Sequence, residues 1–238
     1  MIRLALLLLL IAGPAAAQEV TLNFGEGGSL TSRTVQLFAV VTVLSLVPGL
    51  AVMITCFPFI VTVLSILRQA IGLQASPPNM LIITLALFLT WFVMDPVLTE
   101  AWTLGIAPLS EGRLGLEAAF TEAMRPFRGF MAARMDPDTF AQLAALRPGP
   151  PPSEGFVNAP LSILVPSFLL SEIERAFEIG FLIFLPFLII DLVVAAVLMS
   201  MGMMMVPPAI VSLPFKLAFF VVADGWSLIS GALVRSYF

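Results

Sequence analysis

The sequence predicts an all-α membrane protein: two helical hairpins, made of four apolar and proline-broken helical segments, separated by a hydrophilic helical loop. Three observations carry that prediction. Hydrophobic residues make up 60% of the chain and charged residues only 11%, where soluble domains carry about a quarter charged, and the mean hydropathy is +1.07. Long uncharged runs lie on both sides of a charged middle region. Those runs contain prolines, each of which removes a backbone hydrogen bond and crowds the preceding turn.

The same composition removes whole classes of function. Histidine is absent and cysteine occurs once, as Cys56, so a histidine base, a Cys/His zinc site and an intrachain disulfide are excluded. Neither a metal nor a cofactor is expected. The net charge is -4 and no basic run tracks a phosphate backbone, so nucleic acid is not a partner.

Residues 1–17 read as a cleavable signal peptide: Arg3, an apolar run from Leu4 to Ala12, the breaker Gly13-Pro14, then small residues at Ala15 and Ala17. The run is too short to span a bilayer. Residues 18–33 then form a short segment outside the cytoplasm, and residues 34–98 the first hairpin. From Thr34 to Leu67 there is no charge, a stretch of roughly 50 Å as continuous helix against a core of about 30 Å. Pro48-Gly49 and Pro58 are the expected breaks. Arg68 and the turn Ser76-Pro77-Pro78-Asn79 lead to a second uncharged run, Met80 to Met94, expected to end at Asp95-Pro96.

Residues 99–160 are different material, with seven acids and five arginines between Glu100 and Pro160 and a proline-rich linker at 148–155. Within it, Met124 to Met135 places Phe127, Phe130 and Met131 on one helical face, with Arg125, Arg128 and Arg134 largely on others. Asp138 or Thr139 is positioned to cap a second short helix bearing Phe140, Leu143 and Ala144. These aromatics either fold back on the chain's own hairpins or anchor a neighbouring subunit. Residues 161–238 form the second hairpin. There Glu172, Glu174 and Glu178 are expected to interrupt a long helix starting near Pro166, and Arg175 stands three residues from both Glu172 and Glu178, within pairing range. Weighting positive charge near helix ends puts the N-terminus outside, the Arg68 and Lys216 turns on the cytoplasmic side, and the hydrophilic loop in the periplasm.

The stretch from Gly180 to Lys216 organises the rest. It holds Asp191, five methionines in seven positions (Met199, Met201, Met203, Met204, Met205), the pair Pro207-Pro208, and Lys216. Leucine is as apolar and stiffer; methionine suits a surface that closes on itself and repacks around changing contents. Ionisable residues inside apolar segments are functional candidates, here Asp191, Lys216 and Asp224. Bland readings stand beside them: Lys216 snorkels to the cytoplasmic surface, Asp224-Gly225-Trp226 is an interfacial anchor, and Cys56 is an inert buried thiol.

Leu64 to Val97, with LRQAIGLQ-x-SPPN, and Leu164 to Val234, with GMMM-x-PP, SLPFK and DGW, resemble the two signature regions of the FliP family of flagellar biosynthesis. That family is related to the SctR subunits of virulence-associated secretion, and the signal peptide and Ala223-Asp224-Gly225-Trp226 favour the flagellar branch. The resemblance implies a subunit of the flagellar type III export gate in the bacterial inner membrane and flagellar basal body, with a periplasmic portion. It implies a homo-oligomeric ring, expected to be pentameric, joined by FliQ and FliR and neighboured by FlhB and FlhA, in contact with membrane lipid and passing unfolded export substrates. In such gates the methionine cluster lines the constriction, which maps onto Met203, Met204 and Met205 with Met199 and Met201 nearby. Phe130, Phe140 and Glu172 fall where relatives place subunit contacts, and Glu174 and Glu178 depart from the lysine and glutamine relatives often carry. No enzymatic role is implied.

Two other functions are open to the same residues. An ion-coupled carrier would relay protons through Asp191, Lys216 and Asp224, and predicts that neutralising Asp191 stops transport without affecting assembly. An intramembrane aspartyl protease would need Asp191 and Asp224 as a general acid-base pair.

Overall fold

The computed structural model describes residues 30–72, 77–147, 155–203 and 205–238. The signal peptide, most of residues 18–33, Ser76, most of the 148–155 linker and Met204 lie outside the described residues. By backbone contacts the chain divides into two units, Met1–Leu46 and Val47–Phe238. The described part of the first is helical and begins at Leu30. In it Thr42 and Ser45 donate their hydroxyls back to the carbonyls of Phe38 and Val41 at 2.7 Å, so each stays satisfied beside apolar neighbours.

Every regular element among the described residues is helical. Helix α1 spans Leu30–Met53 and runs through Pro48; the break expected at Pro48-Gly49 falls instead at residues 54–56. Proline is tolerated there because only one backbone bond is lost, whereas Pro58 occupies the first turn of α2 (Phe57–Ile71), where its missing N–H has no intrahelical partner to lose. Helix α2 ends on Gly72, in the left-handed conformation. Its apolar face is buried along its length: Phe59, Ile60, Val63, Leu64, Leu67 and Ala70 are fully enclosed, as is Cys56.

Helix α3 (Asn79–Ala101) returns against α2 as a hairpin, and Arg68 near the end of α2 donates to Asn79 at the start of α3. Asp95-Pro96 does not stop it. The helix continues to Ala101 and then through a π-helical stretch, Trp102–Ile106, into the short α4 (Ala107–Ser110). Gly105 explains the widened turn: a Cβ there would meet the Ala119 carbonyl at 2.5 Å and the Ala123 Cβ at 2.6 Å, so the next helix sits directly on its backbone. That helix, α5, spans Leu116–Arg134, longer than the Met124 to Met135 segment read from periodicity. Helix α6 (Pro137–Ala145) is capped by Asp136, which accepts from the Thr139 N–H at 2.7 Å, rather than by Asp138 or Thr139. These hydrogen bonds hold the Asp136 carboxyl below its usual range. A short α7 (Gly155–Asn158) follows.

Helix α8 spans Leu161–Ser200, 40 residues, through Pro166, Pro186 and all three glutamates. The acids do not interrupt it because glutamate is a good helix former. Gly180 lets α2 approach: a Cβ at that position would collide with the Ile66 side chain. After the methionine turn come α9 (Pro208–Val222) and α10 (Gly225–Arg235). They are bent by 60° at Asp224, the one non-glycine among the described residues with positive φ.

Two helical segments, Asn79–Ser110 and Leu161–Ser200, are long and apolar enough to cross a membrane, and the bent α9–α10 pair passes as a third, broken span. Helix α2, at 15 residues, falls short of a span. Two core clusters hold Val47–Phe238 together: a large one uniting α2, α3, α8, α9 and α10, and a smaller one in which Met131, Met135 and Phe140 pack on Ile163, Leu164 and Phe168 of α8.

Candidate functional site

Helix α8 carries three polar or sulfur-bearing sites along its length, and they differ in how completely one chain satisfies them. At the end nearest the hydrophilic region, Glu172 is fully buried. Its Oε1 accepts from Arg134 Nε at 2.9 Å, and its Oε2 accepts from the Tyr237 hydroxyl. Arg134 also donates to the Ser236 carbonyl at 2.7 Å, and its guanidinium lies 4.0 Å from the centroid of the Tyr237 ring. Burial and the Glu172 carboxylate push the Tyr237 hydroxyl up, so it remains a donor. Arg175, the neighbour three residues along, reaches only to 3.8 Å; no ion pair joins it to Glu178 among the described residues. Arg134 therefore points inward, not out with Arg125, because a buried carboxylate needs a charged donor more than a surface needs one more cation.

Phe130 and Phe140 sit beside this knot. Phe130 stacks on Tyr237 with centroids 5.9 Å apart and meets Phe168 edge-on at 5.7 Å; Phe140 is buried and meets Phe156 edge-on at 5.0 Å. In the single chain both rings fold back on its own helices. Ser171 adds a link, accepting from the Asp136 N–H at 2.9 Å, so the α6 cap is fastened to α8.

Further along α8, Asp191 Oδ2 pairs with Lys216 Nζ at 2.6 Å and Oδ1 accepts from Ser212 Oγ at 2.6 Å. Lys216 also donates to the Ala70 carbonyl at 3.2 Å, a carbonyl in the last turn of α2. Lys216 is 6% exposed. It does not snorkel to the surface, since its ammonium has a carboxylate and a helix-end carbonyl within reach inside the fold. The three residues tie α2, α8 and α9 together. Asp224 is exposed and, among the described residues, its carboxylate has no hydrogen-bond or ion-pair partner; it forms no pair with Asp191.

At the far end, Met199 closes α8 and Met201-Gly202 turn the chain, held by backbone bonds from Met201 N–H to the Val197 carbonyl at 3.1 Å and from Met203 N–H to the Leu198 carbonyl at 3.0 Å. Pro207 caps α9 and Pro208 begins it. These bonds hold the first residues of the turn, up to Met203. Met199, Met201, Met203 and Met205 are all exposed, Met205 at 96%. None belongs to a core cluster. Met201 and Met203 line the mouth of an apolar groove of about 540 Å³ with Val197, Leu198, Val211 and Phe215.

Sequence reasoning missed Tyr237, Ser236 and Ser212. For Ser212 the signal was present, since it stands one helical turn from Lys216 and faces the same way. For Tyr237 there was none: no spacing connects residue 237 to residue 172.

With two to three apolar helices of spanning length, buried charge ties along its longest helix and an uncovered methionine turn at that helix's end, the chain is of the membrane-embedded, all-helical class. Residues 40–233 match the FliP family. The chain is 52% identical to the flagellar biosynthetic protein FliP of Caulobacter vibrioides over 227 residues, covering 94% of this chain and 85% of the relative. It is 44% identical to that of Agrobacterium fabrum, covering 97% and 96%, and 45% identical to that of Bacillus subtilis, covering 87% and 93%. The chain belongs to the FliP family, membrane-embedded components of the flagellar export apparatus.

Proposed function

We propose that this chain is a ring-forming subunit of the flagellar type III export gate, and that its methionine turns close the central passage when no cargo is in transit. The observation that carries this reading is the exposed set Met199, Met201, Met203 and Met205 at the turn between α8 and α9. Several copies around one axis would bring these turns together. Thioethers are apolar enough to exclude ions and soft enough to spread around an unfolded polypeptide. The work of transport comes from other parts of the machine, and this chain makes and breaks no bond. In this reading copies of the chain, expected as five, assemble with FliQ and FliR next to FlhB and FlhA. The assembly sits in the inner membrane, in contact with lipid and with a portion on the periplasmic side.

The carrier alternative loses ground to geometry. Asp191 and Lys216 form a close pair with Ser212 completing it, which is the arrangement of a fastening between helices.

Replacing Met203, Met204 and Met205 by alanine is expected to raise ion leakage through the assembled particle several-fold while leaving particle yield unchanged. Conductance in reconstituted bilayers reads this directly. Unchanged conductance in a particle that still assembles would remove the gasket role.

A further inference from the structure

Between α3 and α5 lies a groove of about 520 Å³ whose walls include Trp91, Trp102, Phe120, Met124 and Phe127, with Asp95 on its rim. Asp95 stands within an apolar segment long enough to span a membrane. It is exposed, and among the described residues its carboxylate has neither hydrogen bond nor ion pair. Acids in such segments pair with a cation as a rule, and Asp191, on α8, does so inside the chain. Among the described residues, the chain supplies no such cation to Asp95.

The other cations of this chain are largely committed. Lys216 holds Asp191, Arg134 and Arg175 face Glu172, Arg128 binds the Val157 and Ala159 carbonyls, Arg68 binds Asn79, and Arg113 and Arg125 pair with neighbouring glutamates. Among the arginines whose side chains are described, Arg147 and Arg235 make no such contact. Arg147 follows α6 in the hydrophilic region. Arg235 instead closes the apolar helix α10 and is exposed. Helix α10 packs against α3, with Ile229 and Leu233 in the same core cluster as Val93 and Met94, the residues just before Asp95. Among the described residues the chain therefore carries, on two helices in contact, an acid lacking a cation and a cation lacking an acid.

We infer that the Asp95 groove receives Arg235 from a second copy of this chain. In a closed ring the same rotation relates every neighbour, so unlike patches meet head to tail and each residue keeps its depth. Such a contact leaves no Asp95 or Arg235 unmatched once the ring closes. Arginine suits the groove: its planar guanidinium stacks on the tryptophan faces while bridging the carboxylate. The inference rests on the ring reading above and specifies the contact that builds it.

The test uses the full-length chain extracted from membranes. The variant Asp95→Cys/Arg235→Cys, treated with a short thiol-bridging reagent, is expected to give a ladder of covalent multimers, with none from either single variant or from the wild type, whose Cys56 is buried. In parallel, Asp95→Arg and Arg235→Asp each lower the yield of oligomer by roughly tenfold, and the double exchange returns it to within about twofold of wild type, as a coupled charge pair requires. If the wild-type particle is itself monomeric by native mass spectrometry, the ring reading fails. If the wild type is oligomeric but the double-cysteine variant gives no ladder, or the double exchange is no better than the single ones, this contact is wrong and the ring reading stands without it.

Discussion

The two ends of helix α8 are built from opposite materials. Around Glu172 each charged or hydroxyl partner is supplied by the chain itself: an arginine from α5 and the tyrosine next to the C-terminus converge on one buried carboxylate. Around Met201 the chain supplies a hydrogen-bonded turn and leaves the methionine side chains described there uncovered. A buried charge must be satisfied before the chain is stable, whereas an exposed thioether can wait for a neighbour or a passing polypeptide. The difference separates an end whose charges the chain satisfies itself from an end whose side chains it leaves uncovered.

The comparison breaks most visibly at Glu172. Glu172→Ala leaves Arg134 buried beside an apolar wall, and removing one partner of a buried pair costs about 3–5 kcal/mol. Thermal unfolding of the detergent-extracted chain is expected to show that loss, with Glu172→Gln intermediate because its single amide oxygen can still accept from one of the two donors, Arg134 or Tyr237. A variant as stable as wild type would mean the knot is not what fastens the C-terminus to α8.

Lys216 and Asp191 give the next largest effect. Lys216→Met strands a carboxylate that is 36% exposed, so partial solvation limits the penalty to about 1–3 kcal/mol. The double variant Lys216→Met/Asp191→Leu is expected to recover most of it, because replacing a whole pair by apolar groups of similar volume is nearly neutral. Export that fails in the double variant despite restored stability and assembly would revive the proton-relay reading.

At the methionine end the same logic predicts almost no change in folding. Met205→Ala and Met201→Ala should each shift the stability of the single chain by less than about 0.5 kcal/mol, since neither side chain is packed in a core. A large loss would show that the turn is part of the fold and not an open surface.

The all-helical class and the hairpin at Arg68-Asn79 were legible because they follow from composition and local spacing. The breaks were not. Prolines at 48, 96, 166 and 186 all lie inside helices, since an apolar environment and neighbouring helices preserve the rest of the backbone ladder and leave the unfolded alternative worse. The partners of Glu172 and Lys216 were hidden for another reason. Local pairing rules look three or four residues away and found Arg175, but the fold brings Arg134 from 38 residues earlier and Tyr237 from 65 later. Long-range charge pairing is decided by which helices pack, which no spacing reveals.

The smallest effect belongs to the link between the hydrophilic region and α8. Asp136 caps α6 through the Thr139 N–H, while its own N–H is held by Ser171. Its carboxyl is shifted down, first by the Thr139 backbone bond, so the folded value lies below the unfolded one. A depressed folded value means the contribution is fully present above the ordinary carboxylate range and is lost as pH falls through the folded value. The protection of the α6 amides, taken relative to their intrinsic exchange rate at each pH, is therefore expected to be flat from neutral pH down to the ordinary aspartate range and to fall progressively below it, with Asp136→Asn removing that dependence. The Glu172 knot should stay protected over the same interval if the cap loosens independently of it. Simultaneous loss would show that the chain-completed end of α8 behaves as one cooperative unit with the helices that cover it, instead of as a sealed knot with a separable lid.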